Sequence, residues 1–434
     1  MTNTMNRRSM LRRTLGLSGA ALASIATGLP VGFLRQPLAH AGDDDDMIDP
    51  ARAQYLILSG RDLGDPFNAN VPGTYDNASI IHAADPSMAK TAISLGAVAT
   101  NAAACWATMP QWALDRTSFI HHATKTQVHG HLIKVLQLLG DAYRNETIPS
   151  IYAKHLQSTL GTVGAAPVPV GAVNLSFDGR TLPQLKPTTL RELLVAEQGP
   201  LQDLQALRDE TLDDMQALLR SHGNIAQRRF LNQHANARAD VRELAEGATD
   251  LLVGIEDDLP SAQIRAAVAL IKLKLTPVAA ISLPFGSDNH NDQGLAKEVT
   301  EYTAGVGYIA ELMNLLEAEG LQDNVTFASI NVFGRTLKSQ GTKGRNHWSK
   351  HHATMMVGKY VAPSVIGGLV ADSNDFAANG IDSMTGMASE SGDIPYDEGL
   401  ASVGKTLGSV LGLSDATLDI EVLRGKVITA AVAE

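Results

Sequence analysis

The chain has 434 residues, 44% of them hydrophobic, a formal net charge of −11 and a single cysteine, Cys105. One cysteine excludes an intrachain disulfide, so stability has to come from a buried core, which a chain of this length can build. The acidic balance excludes nucleic acid and anionic membrane surfaces as natural partners.

The N-terminus reads Asn6-Arg7-Arg8-Ser9-Met10-Leu11-Arg12, an arginine pair followed by a polar and two apolar residues, and Arg12-Arg13 repeats the pair. Residues 15–33 are apolar but diluted with Gly, Ser and Thr, and Ala39-His40-Ala41 has the small-x-small form of a cleavage site. This pattern predicts a twin-arginine signal peptide over residues 1–41, with the twin-arginine translocase as a partner. The destination is the periplasm, or otherwise across a bacterial inner membrane. A basic anchor that is never cleaved is the plainer alternative. Twin-arginine routes carry folded proteins, often already loaded with a cofactor. Losing the leader removes five arginines and no acid, so −11 becomes −16. Asp43-Asp44-Asp45-Asp46 belongs to an acidic, flexible spacer over residues 42–50. No later run of 18 apolar residues exists, so no membrane span is expected after cleavage. Residues 51–434 show neither a Ser/Pro/Gly linker nor an internal repeat and read as one domain.

In chain order, residues 54–59 form an apolar run that ends in Gly60 and suits a buried strand. A polar loop rich in turn residues follows, through Asp62, Asp65 and Pro66. Residues 91–100 suit strand or helix. Residues 116–122 read as a strand, and Thr124-Lys125-Thr126 leads into a helix around residues 129–139. Residues 186–255 read as mostly helical, with Leu201, Leu204, Leu207, Leu212, Met215 and Leu218 recurring every three to five positions. This stretch suits a helical insertion capping a site. Residues 275–283 read as a strand, 295–319 as a long helix closed by Gly320, and 325–333 as a strand. Strands alternating with helices predict a three-layer α/β/α fold on a largely parallel sheet, whose ligands lie beyond the carboxyl ends of the strands.

Four polar clusters follow the predicted strands. Gly286-Ser287-Asp288-Asn289-His290 places a carboxylate and an imidazole two residues apart, which suits zinc, manganese or iron; an ordinary polar loop has the same letters. Gly344-Arg345-Asn346-His347-Trp348-Ser349-Lys350-His351-His352 holds three histidines within six residues, as donors or as a hydrogen-bonded group. The segment from His121-His122 through Thr124 and Thr126 to His129-Gly130-His131 puts hydroxyls at a strand-to-helix junction. There they act either as a nucleophile or anion-holding group or as a plain helix N-cap. Asp62 and Asp65 offer a further carboxylate, with Asp65 before Pro66 reading better as a turn former.

The stretch from Asp288 to Gly368 resembles the bacterial family called domain of unknown function 1501, which is related to the alkaline phosphatase and sulfatase superfamily. The resemblance is carried by Ser287-Asp288-Asn289-His290, the long helix to Gly320, Phe333-Gly334-Arg335-Thr336, Gly344-Arg345-Asn346-His347-Trp348 and Gly367-Gly368. It covers about a quarter of the chain beyond the leader, and upstream the likeness is one of element order. It implies an alkaline-phosphatase-like fold with two divalent metal ions and a Ser or Thr nucleophile. Carried over, Asp288 and His290 match the first Asp/His pair and His347 the histidine of the Asp-His pair. His351 or His352 matches the last histidine, Asp62 the early carboxylate, and Thr124 or Thr126 the nucleophile. Arg335 or Arg345 would hold anionic oxygens. Two letters depart from the family. Asn346 stands where the acid of the Asp-His pair belongs, and Gly286-Ser287 replaces an aromatic. A neutral amide is a weaker ligand for a divalent cation than a carboxylate. The expectation is therefore an exported metal-dependent hydrolase of a phosphate or sulfate ester. Its alternative is a catalytically degenerate member of the fold that binds an anionic polymer or a partner in the cell envelope. A helical scaffold acting through residues 186–255 is the third reading.

Overall fold

The computed structural model describes residues 48–194, 250–338 and 344–434. The expected leader (residues 1–41) and most of the acidic spacer lie outside the described residues. So do residues 195–249 of the expected helical insertion, whose described beginning, Pro187–Leu194, is a helix.

A seven-stranded sheet organises the rest. Its strands in chain order are β1 (Tyr55–Ser59), β2 (Thr117–His122), β3 (Val168–Pro169), β4 (Val278–Ile281), β5 (Val325–Ser329), β6 (His352–Val357) and β7 (Ser364–Ile366). Across the sheet the order is β7-β2-β6-β5-β1-β4-β3. All neighbouring pairs are parallel except those of β6, which runs antiparallel to both β2 and β5.

The strands alternate between two cores, as a period of two requires. Tyr55, Ile57, Phe119, Ala279, Ile281, Phe327 and Met355 point to one core, together with helices α2 (Pro260–Lys272) and α3 (Ala296–Ala318). Leu56, Leu58, Ile120, Val278, Ala280, Ala328 and Met356 point to the other, with α1 (Ile148–Leu160) and α4 (Gly399–Val410). The sheet is thus covered on both faces, which explains why its strands read as continuous apolar runs. Residues 90–103 form a hairpin of two strands, Lys90–Leu95 and Val98–Ala103, outside this sheet. Among the described residues no helix is long and apolar enough to cross a membrane.

Three local readings change in detail. The helix expected over residues 129–139 is broken into a 3-10 turn, His129–His131, and one short helix, Leu132–Leu136, before Leu138 and Leu139 adopt positive φ. The strand expected to run to residue 333 ends at Ser329; Ile330 still donates to Ser59 at the end of β1, and Val332 donates to Arg61 in the loop that follows β1. The third difference matters most for function. The histidine-rich segment ending at His352 precedes a strand instead of following one. Since β6 runs antiparallel, its start lies at the edge where β1, β2, β4 and β5 end. The cross-strand pair His352 and His122 marks that edge.

Candidate metal centre

Three chain segments meet beyond this edge. The first is the loop after β4. Asp292 anchors it by accepting the Lys297 and Glu298 N–H groups at the start of α3, both at 2.8 Å, which satisfies two otherwise unpaired donors of the first turn. Within the loop, Asp288 takes a left-handed backbone with φ of 44°. Aspartate tolerates that region better than most side chains.

The second segment is a short antiparallel ribbon, Gly334–Arg335 against His347–Trp348, with Arg335 opposite His347. Gly344 (φ 81°) ties it to the first: a Cβ there would lie 2.0 Å from the Asn289 carbonyl, and the Arg345 N–H donates to that same oxygen. Below, Arg345 and Glu298, both with fully buried side chains, form an ion pair of 2.8 Å. Asn70 and Asn289 donate to the same carboxylate. The remaining Arg345 donors reach the carbonyls of Thr336, Leu337 and Ile81. A buried charge pair this fully hydrogen-bonded fixes the relative position of the segments that supply it.

The third segment is the loop after β2, held against the ribbon by Thr124 and Lys125 N–H bonds to the Ser349 carbonyl. It delivers His129, whose ring packs on Phe333, with centroids 5.1 Å apart.

The segments bring His129, Asp288, His290 and His347 together, with one donor atom of each within 4.8 Å of the other three. His290 Nε2 lies 2.7 Å from His347 Nε2 and 3.1 Å from Asp288 Oδ1, and the Nε2 atoms of His129 and His347 each lie 3.9 Å from that oxygen. The far side of each ring has its own acceptor. His129 Nδ1 is 2.8 Å from the Asp62 carbonyl, His347 Nδ1 is 2.8 Å from the Gln127 carbonyl, and His290 Nδ1 is 3.5 Å from Asn346 Oδ1. A carbonyl can only accept, so Nδ1 carries a proton in His129 and His347, and it is Nε2 that holds the lone pair in the neutral form of each ring. Arg335, its side chain fully buried, donates to Asp288 Oδ1 at 3.0 Å and to the carbonyls of Leu63 and Gly64. Burial pushes the Asp288 carboxyl up, but the Arg335 guanidinium outweighs it and holds the group below its ordinary value, as the anion. Burial, reinforced by the charge of Arg335, keeps His347 below the usual imidazole value and therefore neutral.

No known family model and no curated protein matches the chain.

The other residues singled out in the sequence lie elsewhere. Asp62 contributes its main-chain carbonyl to His129. Asn346 sits behind His290, on the side away from Asp288 Oδ1. His351 and His352 are buried at the start of β6 beside His121 and His122. There His351 bonds to His121 and Asn68, and His352 leans on His122. Arg345 is committed to Glu298. Thr124 is buried, with no hydrogen-bond partner for its hydroxyl. Thr126 Oγ1 is 2.8 Å from His131 Nδ1 and accepts the Val128 N–H. Lys134 Nζ, which can only donate, is 3.1 Å from His131 Nε2. His131 therefore donates to Thr126, and Thr126 acts as a turn cap in this arrangement. His129 is the residue that reading the sequence left out of the ligand set. It stood in a named histidine cluster, but nothing local distinguished it from His131.

The donor set fits a divalent transition ion. Three imidazole nitrogens and one carboxylate oxygen suit zinc, iron(II) or manganese, and donors about 2.0–2.2 Å from a common ion lie within about 4.4 Å of one another. The four side chains are 21–44% exposed, so the common point is open to solvent on one side.

Proposed function

We propose that the chain is an exported, metal-dependent hydrolase acting on a phosphate or sulfate ester, with an alkaline-phosphatase-like fold of the kind that the resemblance to domain of unknown function 1501 implies. The observation that carries this reading is the convergence of three imidazole Nε2 atoms and the Asp288 carboxylate beside a buried guanidinium, at the carboxyl edge of a mostly parallel sheet. When bound there, a divalent ion supplies Lewis acidity toward an ester oxygen. His290 and His347 would hold it, with the Asp288 carboxylate kept anionic by Arg335. The Asp62 and Gln127 carbonyls fix the rings of His129 and His347, which orients two of the four donors before loading. Phe333 packs beneath the rings of His129 and His347 and keeps water from that side. The test is a screen of aryl phosphate and aryl sulfate esters with the metal-loaded protein and with Asp288→Ala and His290→Ala. Hydrolysis lost together with the metal in both variants supports the reading. Unchanged hydrolysis in both, or none in the loaded protein, sinks it.

The second reading, a degenerate binding protein, is favoured by Asn346, which offers an exposed neutral amide where the family pattern has an acid. If the site has decayed, Asn346→Asp should raise metal affinity; unchanged affinity argues against decay.

A further inference from the structure

We propose that the site is built for a single divalent transition ion, that His129 is one of its ligands, and that the fixed cation Arg335 excludes a second ion from Asp288. This rests on the metal part of the reading above and not on the ester chemistry.

The first ground is the direction of the rings. Nothing requires a surface histidine to turn Nε2 toward its neighbours. Yet His129 and His347 each bind a main-chain carbonyl through Nδ1, from two different loops, and so turn Nε2, the nitrogen left to bind a metal, toward the same carboxylate oxygen. His290 brings its Nε2 to the same place, 3.1 Å from Asp288 Oδ1. With the Nδ1 proton of His347 placed on the Gln127 carbonyl, the 2.7 Å approach of His290 Nε2 to His347 Nε2 is a hydrogen bond that His290 donates, and a divalent ion at this point takes the place of that one proton. Two imidazole lone pairs, a third imidazole nitrogen that a metal ion deprotonates and an anionic oxygen converge on one point, which is the donor set of a divalent cation.

The second ground is what lies around the point. Among the described residues this is the one group of three or more histidine, cysteine or acidic side chains close enough to hold an ion. Of the donors expected for a second ion, His351 has both nitrogens bonded, to Asn68 and His121, and Asp62 meets His129 through its main-chain carbonyl. Beside Asp288 the place of a neighbouring cation is filled. The Arg335 guanidinium is buried and tied to the Leu63 and Gly64 carbonyls, so it cannot swing away to admit one. A permanent positive charge on the same carboxylate repels a second divalent ion and leaves room for one.

The experiment is metal stoichiometry on the full chain, stripped with chelator, dialysed against zinc and read by elemental mass spectrometry. The cobalt(II) absorption spectrum serves as a second readout. The expected results are one equivalent in the unaltered protein and one in His131→Ala. His129→Ala, at a half-exposed position where the fold tolerates truncation, should bind at least about 10–100-fold more weakly and shift the cobalt bands, since loss of even an outer partner has that effect. Two equivalents in the unaltered protein, no bound zinc, or full affinity with an unchanged cobalt spectrum in His129→Ala each overturn the proposal. One equivalent without any ester hydrolysis leaves it standing and removes the proposed activity alone.

Discussion

Arg335 lies directly opposite His347 in the register of the two-residue ribbon, so the buried cation of the site and one of its imidazoles are fixed to each other by main-chain pairing. Arg335 also satisfies the carbonyls of Leu63 and Gly64, and a lysine has no planar fork to reach both and Asp288 at once. Arg335→Lys should lower stability by about 2–4 kcal/mol, read from the urea midpoint, because buried acceptors lose their donor. A midpoint unchanged within error would show that the guanidinium geometry is dispensable.

The Arg345–Glu298 pair predicts a larger effect. Arg345→Ala strands a buried carboxylate that also organises Asn70 and Asn289. Loss of about 3–5 kcal/mol is expected, as for other buried pairs broken on one side. Because the same pair ties the Asp288 loop to the His347 ribbon, zinc affinity should fall with it. Retained stability, measured by denaturant titration, would count against the pair as the anchor.

Acid should unfold the protein early. Burial pushes His121 and His122 down to about 4, and His351 and His352 well below the ordinary imidazole value. The unfolded chain protonates these groups near pH 6.5, so between that pH and about 4 it binds more protons than the folded one. Stability is therefore fully present above about pH 6.5 and falls as the pH drops, by up to about 1.4 kcal/mol per histidine per pH unit. Burial raises Asp65 to about 7, and the stability contributed by that group is instead lost as the pH rises from about 4 through 7, one group against four. Urea midpoints of chelator-treated protein at pH 8, 6.5 and 5 check the sign. A flat profile between the last two would mean that the four rings are not buried neutral.

Gly64 predicts a local effect on the site. With φ of 62°, a Cβ there would come 1.8 Å from the Phe333 ring. Gly64→Ala should displace that ring from beneath His129 and His347 and weaken zinc binding by about 10-fold or more, while the distant hairpin of residues 90–103 keeps its structure. Zinc titration with a heteronuclear spectrum separates the two, and unchanged affinity would show that Phe333 does not set the imidazole positions.

Much of the fold was legible because buried parallel strands leave short apolar runs: β1, β2, β4 and β5 were read within a few residues. β6 was not, since His-Ala-Thr-Met-Met-Val shows no alternation and follows a segment that resembles a loop. The Asp288-x-His290 pair and His347 stood out because ligand types were concentrated there. The role of His129 depends on the Asp62 carbonyl, a main-chain group that carries no letter of its own. Likewise Arg345 looks like an anion-binding arginine until Glu298, 47 positions earlier, is seen to take its charge.

The bond from His347 to the Gln127 carbonyl joins positions 220 residues apart. At about 5–20 residues per second, a ribosome needs roughly 10–40 s to make the chain between them. During that interval Asp288 and His290 emerge with His129 already made but His347 still missing, and a weakly held ion is free to leave. Retention of metal thus begins only when synthesis is nearly complete, which makes the bound ion a timestamp of finished folding.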